Sequence, residues 1–369
     1  MTRLSQTSGL PSTVAVPAYD RANLKSGIVH IGTGAFHKAH QAVCTDDALG
    51  ASGGDWMITG VSLRSGDVAD AMNPQDGLYT LLVRGPEGVS ARVVGSIRKV
   101  LVAPREPDAV LAALAAPETR IVSLTITEKG YGLDGRTGGL DRGHPAIAAD
   151  LKDPEHPVGA VGFIVEALRL RKESGLPGFT VLCCDNLPNN GKVLKRLVLE
   201  FARERDAGLA AFIEANVSFP STMVDRITPA TSQREIDHCR ETLGIDDAWP
   251  VYCEEFKQWV LEDDFPQGRP ALEKVGVQFV PDVSPYETMK IRILNGGHAI
   301  IAYPAGLMDV HFVHEAMETD LVARFLEKVE RDDILPIVPP VPDTDLSDYF
   351  ALIKRRFANP KIGDTIRRL

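Results

Sequence analysis

The feature that most constrains this chain is a series of short, almost uninterrupted apolar runs set between turn signals and helical stretches. Gly27–Ile31, Trp56–Leu63, Val93–Ile97, Ile121–Thr127 and Thr180–Cys184 are too short for buried helices and lack the polar alternation of a sheet with one wet face. Runs of this kind are strands covered on both faces, as in a parallel sheet. Helical stretches at 157–173 and 191–204 lie between or after them. The pattern through about residue 210 therefore predicts an α/β fold with a doubly wound sheet. The first twenty residues read as a loose lead-in. Beyond about residue 280 helical periodicity dominates, over 319–332 and 345–357, with the proline-rich Leu335–Pro342 between them. Two domains are expected, at 1–280 and 281–369, the second mainly α-helical.

Composition narrows the function classes. With 40 basic against 50 acidic residues the net charge is −10, and no long Lys/Arg run offsets it, which argues against nucleic acid or an anionic membrane as partner. No apolar run approaches the roughly 20 residues of a membrane span, and the N-terminus lacks the apolar core of a signal peptide. A cytoplasmic location is the expectation. The five cysteines form no C-x-x-C pair, so reduced thiols and no structural zinc are expected.

The run at Gly27–Ile31 leads into Gly-Thr-Gly-Ala-Phe-His-Lys-Ala-His, which reads as strand, glycine turn and helix start. Gly32 and Gly34, followed by Ala35 and Phe36, provide a G-x-G turn that would aim amides at a pyrophosphate. His37 stands where a dinucleotide fingerprint has its third glycine, so the motif alone also fits an ordinary strand-to-helix turn. After the next strand, Asp67 fits the acid that binds a ribose diol, although Arg64 equally favours a 2′-phosphate.

In SPYETMKIRILNGGHAIIAYPAGL, Lys290, Asn295 and His298 fall at about 0°, 140° and 80° around an ideal α-helix, within one sector. A lysine base, an amide donor to an oxyanion and an orienting imidazole would suit a small-molecule reaction without a nucleophile. A solvated lysine, a helix-terminal asparagine and a packed histidine would show the same spacing. Ser284 reads as N-cap, Pro285 as the first helical residue and Glu287 as the partner in a capping box. Glu287 also lies one turn before Lys290 and can pair with it. Gly296 and Gly297 cost about 1 kcal/mol each in a helix, so something should approach the backbone closely there. Two more clusters follow apolar runs: Cys184–Gly191, where Asn186 can face a cleft while Asn189 and Asn190 cap the next helix, and Phe219–Pro229, where Asp225 either reaches a ligand or pairs with Arg226.

Taken in order, IGTGAFHKAH, GVSLRS with QDGLYTL, TITEKGY, CDNLPNNG, FPSTMVDRITP and K-x4-N-x2-H resemble the polyol-specific long-chain dehydrogenases, the mannitol dehydrogenase family, from about residue 27 to the end. The resemblance implies a Rossmann-type dinucleotide-binding domain, then a helical substrate domain. It implies metal-independent oxidation of a sugar alcohol's secondary carbinol with NAD, NADP remaining open. Lys290 would be the base, needing a pKa well below its usual value of about 10.4. Asn186 and Asn295 would form the oxyanion site, His298, Asp225 and Arg368 would contact substrate, and Glu287 would gate the proton. Gly32, Gly34, Ala35 and Phe36 match the pyrophosphate turn and Asp67 the acid that favours NAD. Family members usually continue past DTIRRL, so an incomplete helical domain is expected. A mannitol-to-fructose type substrate is the first expectation. A mannonate–fructuronate substrate, which would want Arg292, Lys38 or Arg368 as an extra cation, is the alternative, and a catalytically silent nucleotide-binding protein is the reading from another class. A monomer is expected.

Overall fold

The computed structural model describes residues 3–85 and 88–369; these fall into two units, one from 3–83 with 90–281 and the other from 84–85, 88–89 and 282–369. In order the described chain forms β1 (Ser26–Ile31), β2 (Met57–Ser62), β3 (Tyr79–Gly85), β4 (Gly88–Val94), β5 (Ile97–Val102), β6 (Ile121–Leu124), β7 (Thr180–Cys183), β8 (Thr222–Asp225), β9 (Val251–Glu254), β10 (Gln258–Glu262) and β11 (Gln278–Val280).

The sheet order β5-β2-β1-β6-β7, with every pair parallel, is the frame of the first unit. The chain runs outward from β1 through β2 to β5, then returns to lay β6 on the other side of β1. At that reversal the loops after β1 and β6 diverge and open a crevice at the carboxyl ends of the strands, where sheets of this type bind ligands. Successive strand residues point to opposite faces. Val29, Ile31, Val122 and Val181 pack with Phe163, Leu168 and Leu197 of helices Ala160–Glu173 and Asn190–Arg205. Ile28, Ile58, Ile121 and Leu182 pack on the other side with Cys44, Leu49 and Leu272. Each such side chain contributes roughly 1.5–3 kcal/mol on burial, so the two layers fix the sheet that positions the cleft.

Two readings of the sequence are corrected. Val93–Ile97 is not one strand: it holds the end of β4, a break at Gly95-Ser96 and the start of β5. The break occurs because Gly95 donates its amide to Asp46 at 2.8 Å and Ser96 its hydroxyl to the Ala42 carbonyl at 2.7 Å, which tie these residues to the helix Gln41–Ser52. The true parallel strand, β5, carries Arg98 and Lys99, which hid it. The lead-in is not loose either. Leu4 and Val14 are buried, Arg3 forms a backbone β-bridge with Asp246 and Ala15 one with Arg92, and the Tyr19 hydroxyl donates to Asp46 at 2.6 Å.

β8 lies antiparallel to β10, which is parallel to β11, in a small sheet, and β4, β3 and β9 form another. The second unit is mainly helical, with Ser284–Met289, Gly296–Leu307, Asp320–Val329 and Leu346–Phe357 as its principal helices and π-turns at Lys290–Asn295 and Glu330–Ile334. Among the described residues no helix is long and apolar enough to cross a membrane.

Candidate active site

The first unit contributes a cleft of about 350 Å³ whose floor is the turn after β1. Gly32 has φ +97°, and a Cβ there would sit 2.1 Å from the Thr125 carbonyl oxygen, so only glycine fits. Gly34 is open, its nearest atom to an added Cβ being the Gly32 carbonyl oxygen at 3.8 Å. Ala35 and Phe36 begin a helix that runs only from Ala35 to Ala39, breaks at His40 and resumes at Gln41. His37, at the place of the third glycine, is fully buried and stacks on His30 of β1 with ring centroids 3.4 Å apart. Burial holds His30 down to about 3 and His37 well below its ordinary range. The buried, stacked pair fills the space beside β1 at the position of the third glycine.

The far wall of the cleft is made by Thr125, Ile126 and Thr127 after β6, and its rim by Ser62–Ser65 after β2. Arg64 lines this rim. Asp67 is exposed at the first position of the helix Asp67–Met72 and is not among the lining residues.

Asn186 is exposed in the turn after β7. Asn189 takes the N-cap position of the next helix in a left-handed conformation, with no side-chain cap bond. Asn190 does not cap. It is buried, donates to the carbonyls of Asp185 at 3.1 Å and Thr222 at 2.9 Å, and accepts the Thr222 amide at 2.9 Å. It staples the turn bearing Asn186 to β8, whose last residue is the buried Asp225. Arg226 donates to the carbonyls of Glu254 at 3.1 Å and Ala39 at 2.6 Å.

In the second unit, the helix that carries Lys290 starts one residue earlier than its sequence suggests. Val283 is the N-cap position, and Ser284 donates its amide and hydroxyl to Asp282 at 3.0 and 2.6 Å. The capping box of Ser284 and Glu287 is thus replaced by an Asp282 turn, and Pro285 falls second in the helix. Glu287 and Lys290 are buried. The helix then widens into a π-turn over Lys290–Asn295, closed where the Gly296 amide donates to the Ile291 carbonyl. The constant 100° step does not hold across it. An i→i+5 turn rotates less per residue than an α-helix, so the angle between Lys290 and Asn295 is narrower than the roughly 140° of an ideal α-helix. His298 follows in the helix Gly296–Leu307 with its ring 4.3 Å from that of Phe357. Gly297 is glycine because a Cβ would meet Phe357 Cε2 at 3.2 Å and Glu330 Oε1 at 3.4 Å.

Arg368 forks onto the buried Asp364 through Nε and Nη2, on a turn whose Ile366 packs beside Gly306, at the far end of that helix from His298. Arg292 donates to the Ile337 carbonyl at 3.1 Å. Lys38, offered by the sequence as a cation for a carboxylate, is fully buried, donates to the Trp249 carbonyl at 3.3 Å and lies over the Tyr79 and Trp249 rings. Burial lowers its pKa to about 7. It is part of the core.

Glu330 escaped the sequence reading. It opens the second π-turn, is fully buried, and neither carboxylate oxygen has a hydrogen-bond partner among the described residues. Burial raises it to about 8. A glutamate in an acidic, helix-forming stretch carries no signal of this. Only its packing against Gly297, next to His298, distinguishes it.

Residues 26–274 match the mannitol dehydrogenase Rossmann domain and residues 282–369 the mannitol dehydrogenase C-terminal domain. The chain is 52% identical over 361 residues to a mannitol 2-dehydrogenase of Cereibacter sphaeroides, covering 97% of this chain and 75% of that protein. Its fold superposes with a TM-score of 0.93 on Pseudomonas fluorescens mannitol 2-dehydrogenase, solved as a ternary complex with NAD and D-mannitol, at 47% identity over 97% of this chain and 74% of that one. A substrate-free D-sorbitol dehydrogenase superposes at 0.94 with 41% identity, covering 99% of this chain and 76% of that one. With both domains matched in order along a two-unit chain, the protein belongs to the mannitol dehydrogenase family.

Proposed function

We propose that this protein is a cytoplasmic, monomeric, NAD-dependent polyol dehydrogenase that interconverts a mannitol-type sugar alcohol and its ketose without a metal. The observation that carries the reading is buried Lys290 at the start of a π-turn that ends at Asn295, with His298 following, in a chain of this family. Gly32, where no Cβ fits, and the open Gly34 suit the close passage of a pyrophosphate over the turn.

In this reading Lys290 Nζ, neutral at working pH, takes the hydroxyl proton of the secondary carbinol. The side-chain amides of Asn186 and Asn295 donate to the oxygen as it gains charge. Asp225 and His298 hold neighbouring hydroxyls, and Glu287 passes the proton from Lys290 to water. The bound nicotinamide accepts the hydride. A neutral polyol is favoured over a sugar acid because the three candidate cations are committed: Lys38 to the core, Arg292 to the Ile337 carbonyl and Arg368 to Asp364.

The test is NAD-linked oxidation of mannitol, sorbitol, arabinitol and mannonate at alkaline pH, with Lys290→Ala beside the parent protein. Turnover of a polyol, lost in the variant while NADH binding persists, is the expected result. Preference for mannonate would move the substrate to the sugar acids, and NADH binding without turnover of any compound would leave a silent nucleotide-binding protein.

A further inference from the structure

Asp185 lies between β7 and Asn186, and its carboxylate reaches across to the loop that leaves β6. Oδ2 accepts the Ile126 amide at 2.7 Å and the Tyr131 hydroxyl at 2.6 Å, while Oδ1 accepts the Thr127 amide at 3.2 Å. The carbonyl of the same residue accepts the Leu187 amide at 2.9 Å and the Asn190 side chain at 3.1 Å. Asp185 is thus fastened on one side to β8 through Asn190, and on the other it grips two successive backbone amides of the cleft wall.

The gripped backbone is unusual. Thr127 has φ 67° and ψ 156°, a region that glycine occupies freely and that a β-branched side chain resists. Such a conformation persists only where its surroundings over-determine it. Thr125, Ile126 and Thr127 line the cleft together with Gly32 and Gly34, so relaxing Thr127 would turn the wall itself.

We propose that Asp185 is a positioning residue whose carboxylate holds Thr127 in a glycine-like conformation and so sets both the wall of the dinucleotide cleft and the seat of Asn186. The assignment to cofactor binding rests on the functional reading above, whereas the backbone clamp does not. Both carboxylate oxygens are needed. In Asp185→Asn, whichever way the amide is turned, an NH2 group faces one of the two backbone N–H donors, and the clamp loses one jaw.

The clamp makes a prediction that a merely structural aspartate does not. If Asp185 acts by forcing Thr127 into its conformation, it becomes dispensable once residue 127 adopts that conformation without strain. The experiment is a double-mutant cycle on the full chain with Asp185→Asn, Thr127→Gly and both together, read by NADH fluorescence titration and by thermal melting. Asp185→Asn is expected to weaken NADH binding about ten-fold in the Thr127 background and less than about three-fold in the Thr127→Gly background. Thr127→Gly alone is expected to raise the melting temperature. An equal loss of affinity in both backgrounds, or none in either, would overturn the proposal. If Asp185→Asn does not fold, a melting temperature lowered by Thr127→Gly overturns it and a raised one sustains it. Failure of the parent protein to bind NADH would sink the cofactor reading, and the melting comparison would still decide the clamp.

Discussion

The amide of Gly296 donates to the carbonyl of Ile291, five residues back, and this bond closes the π-turn that runs from Lys290 to Asn295. The two glycines beside it play different parts. At Gly296 the nearest atom to an added Cβ is the Ile291 carbonyl oxygen at 3.7 Å, an ordinary contact, whereas at Gly297 the Phe357 ring stands at 3.2 Å. Gly296→Ala is expected to fold and to melt at the same temperature or higher, since alanine regains up to about 1 kcal/mol of helix propensity. Gly297→Ala is expected to lose about 1–3 kcal/mol through overpacking and to lower kcat by displacing His298. Denaturant melts and steady-state rates on the two variants check the contrast, and equal behaviour would contradict it.

The oxyanion roles make a kinetic prediction. Asn186→Ala and Asn295→Ala should each lower kcat about 10²- to 10³-fold, as removal of a single oxyanion donor does elsewhere. NADH affinity should be little changed. A rise in KM at constant kcat would assign the asparagines to ground-state substrate binding instead.

Glu330 predicts a pH dependence of stability. Its carboxyl is raised to about 8 in the folded protein by burial, against about 4.3 in an unfolded chain. Between those values the folded state holds a proton that the unfolded state has released, so stability falls as pH rises from about 4 to about 8 and levels off above. Glu330→Gln stays neutral throughout. Its melting temperature should exceed that of the parent by a margin that widens between about pH 5 and about pH 8. Parallel melting curves would mean that the folded carboxyl is already ionised at pH 5.

Cofactor preference can be divided between two side chains. Arg64 lines the cleft rim and Asp67 stands exposed at the start of the next helix. Asp67→Ala is expected to weaken NAD more than NADP, and Arg64→Ala to weaken NADP more than NAD, as a diol acid and a phosphate partner would. Titration of both variants with NADH and NADPH measures this. An unchanged preference in Asp67→Ala would place the diol acid elsewhere.

A lysine base without metal predicts that turnover survives prolonged treatment with a strong chelator. Activity lost on chelation and restored by a divalent cation would replace Lys290 as the group that activates the hydroxyl.

The sequence by itself determined the parallel sheet and the glycine turn, because both are local. A strand covered on both faces must be apolar throughout, as at Ile121–Leu124 and Thr180–Cys183, and Gly32 takes φ +97°, a backbone conformation that glycine alone adopts freely. The helical second domain was legible for the same reason, in the apolar spacing of Asp320–Val329 and Leu346–Phe357. The order of Lys290, Asn295 and His298 was equally plain, but their geometry was not. Whether a helix takes an α or a π step depends on what packs against it, and the Phe357 ring and the Glu330 carboxyl come from segments distant in sequence. The same holds for Asp185, which bonds Ile126 and Thr127 at separations of 59 and 58 residues, and for Lys38, a cation by composition that the fold places in the core. Residue type and spacing offered candidates for the chemistry. Long-range packing decided which groups are buried, strained or turned toward one another, because those energies arise only between segments that folding brings into contact.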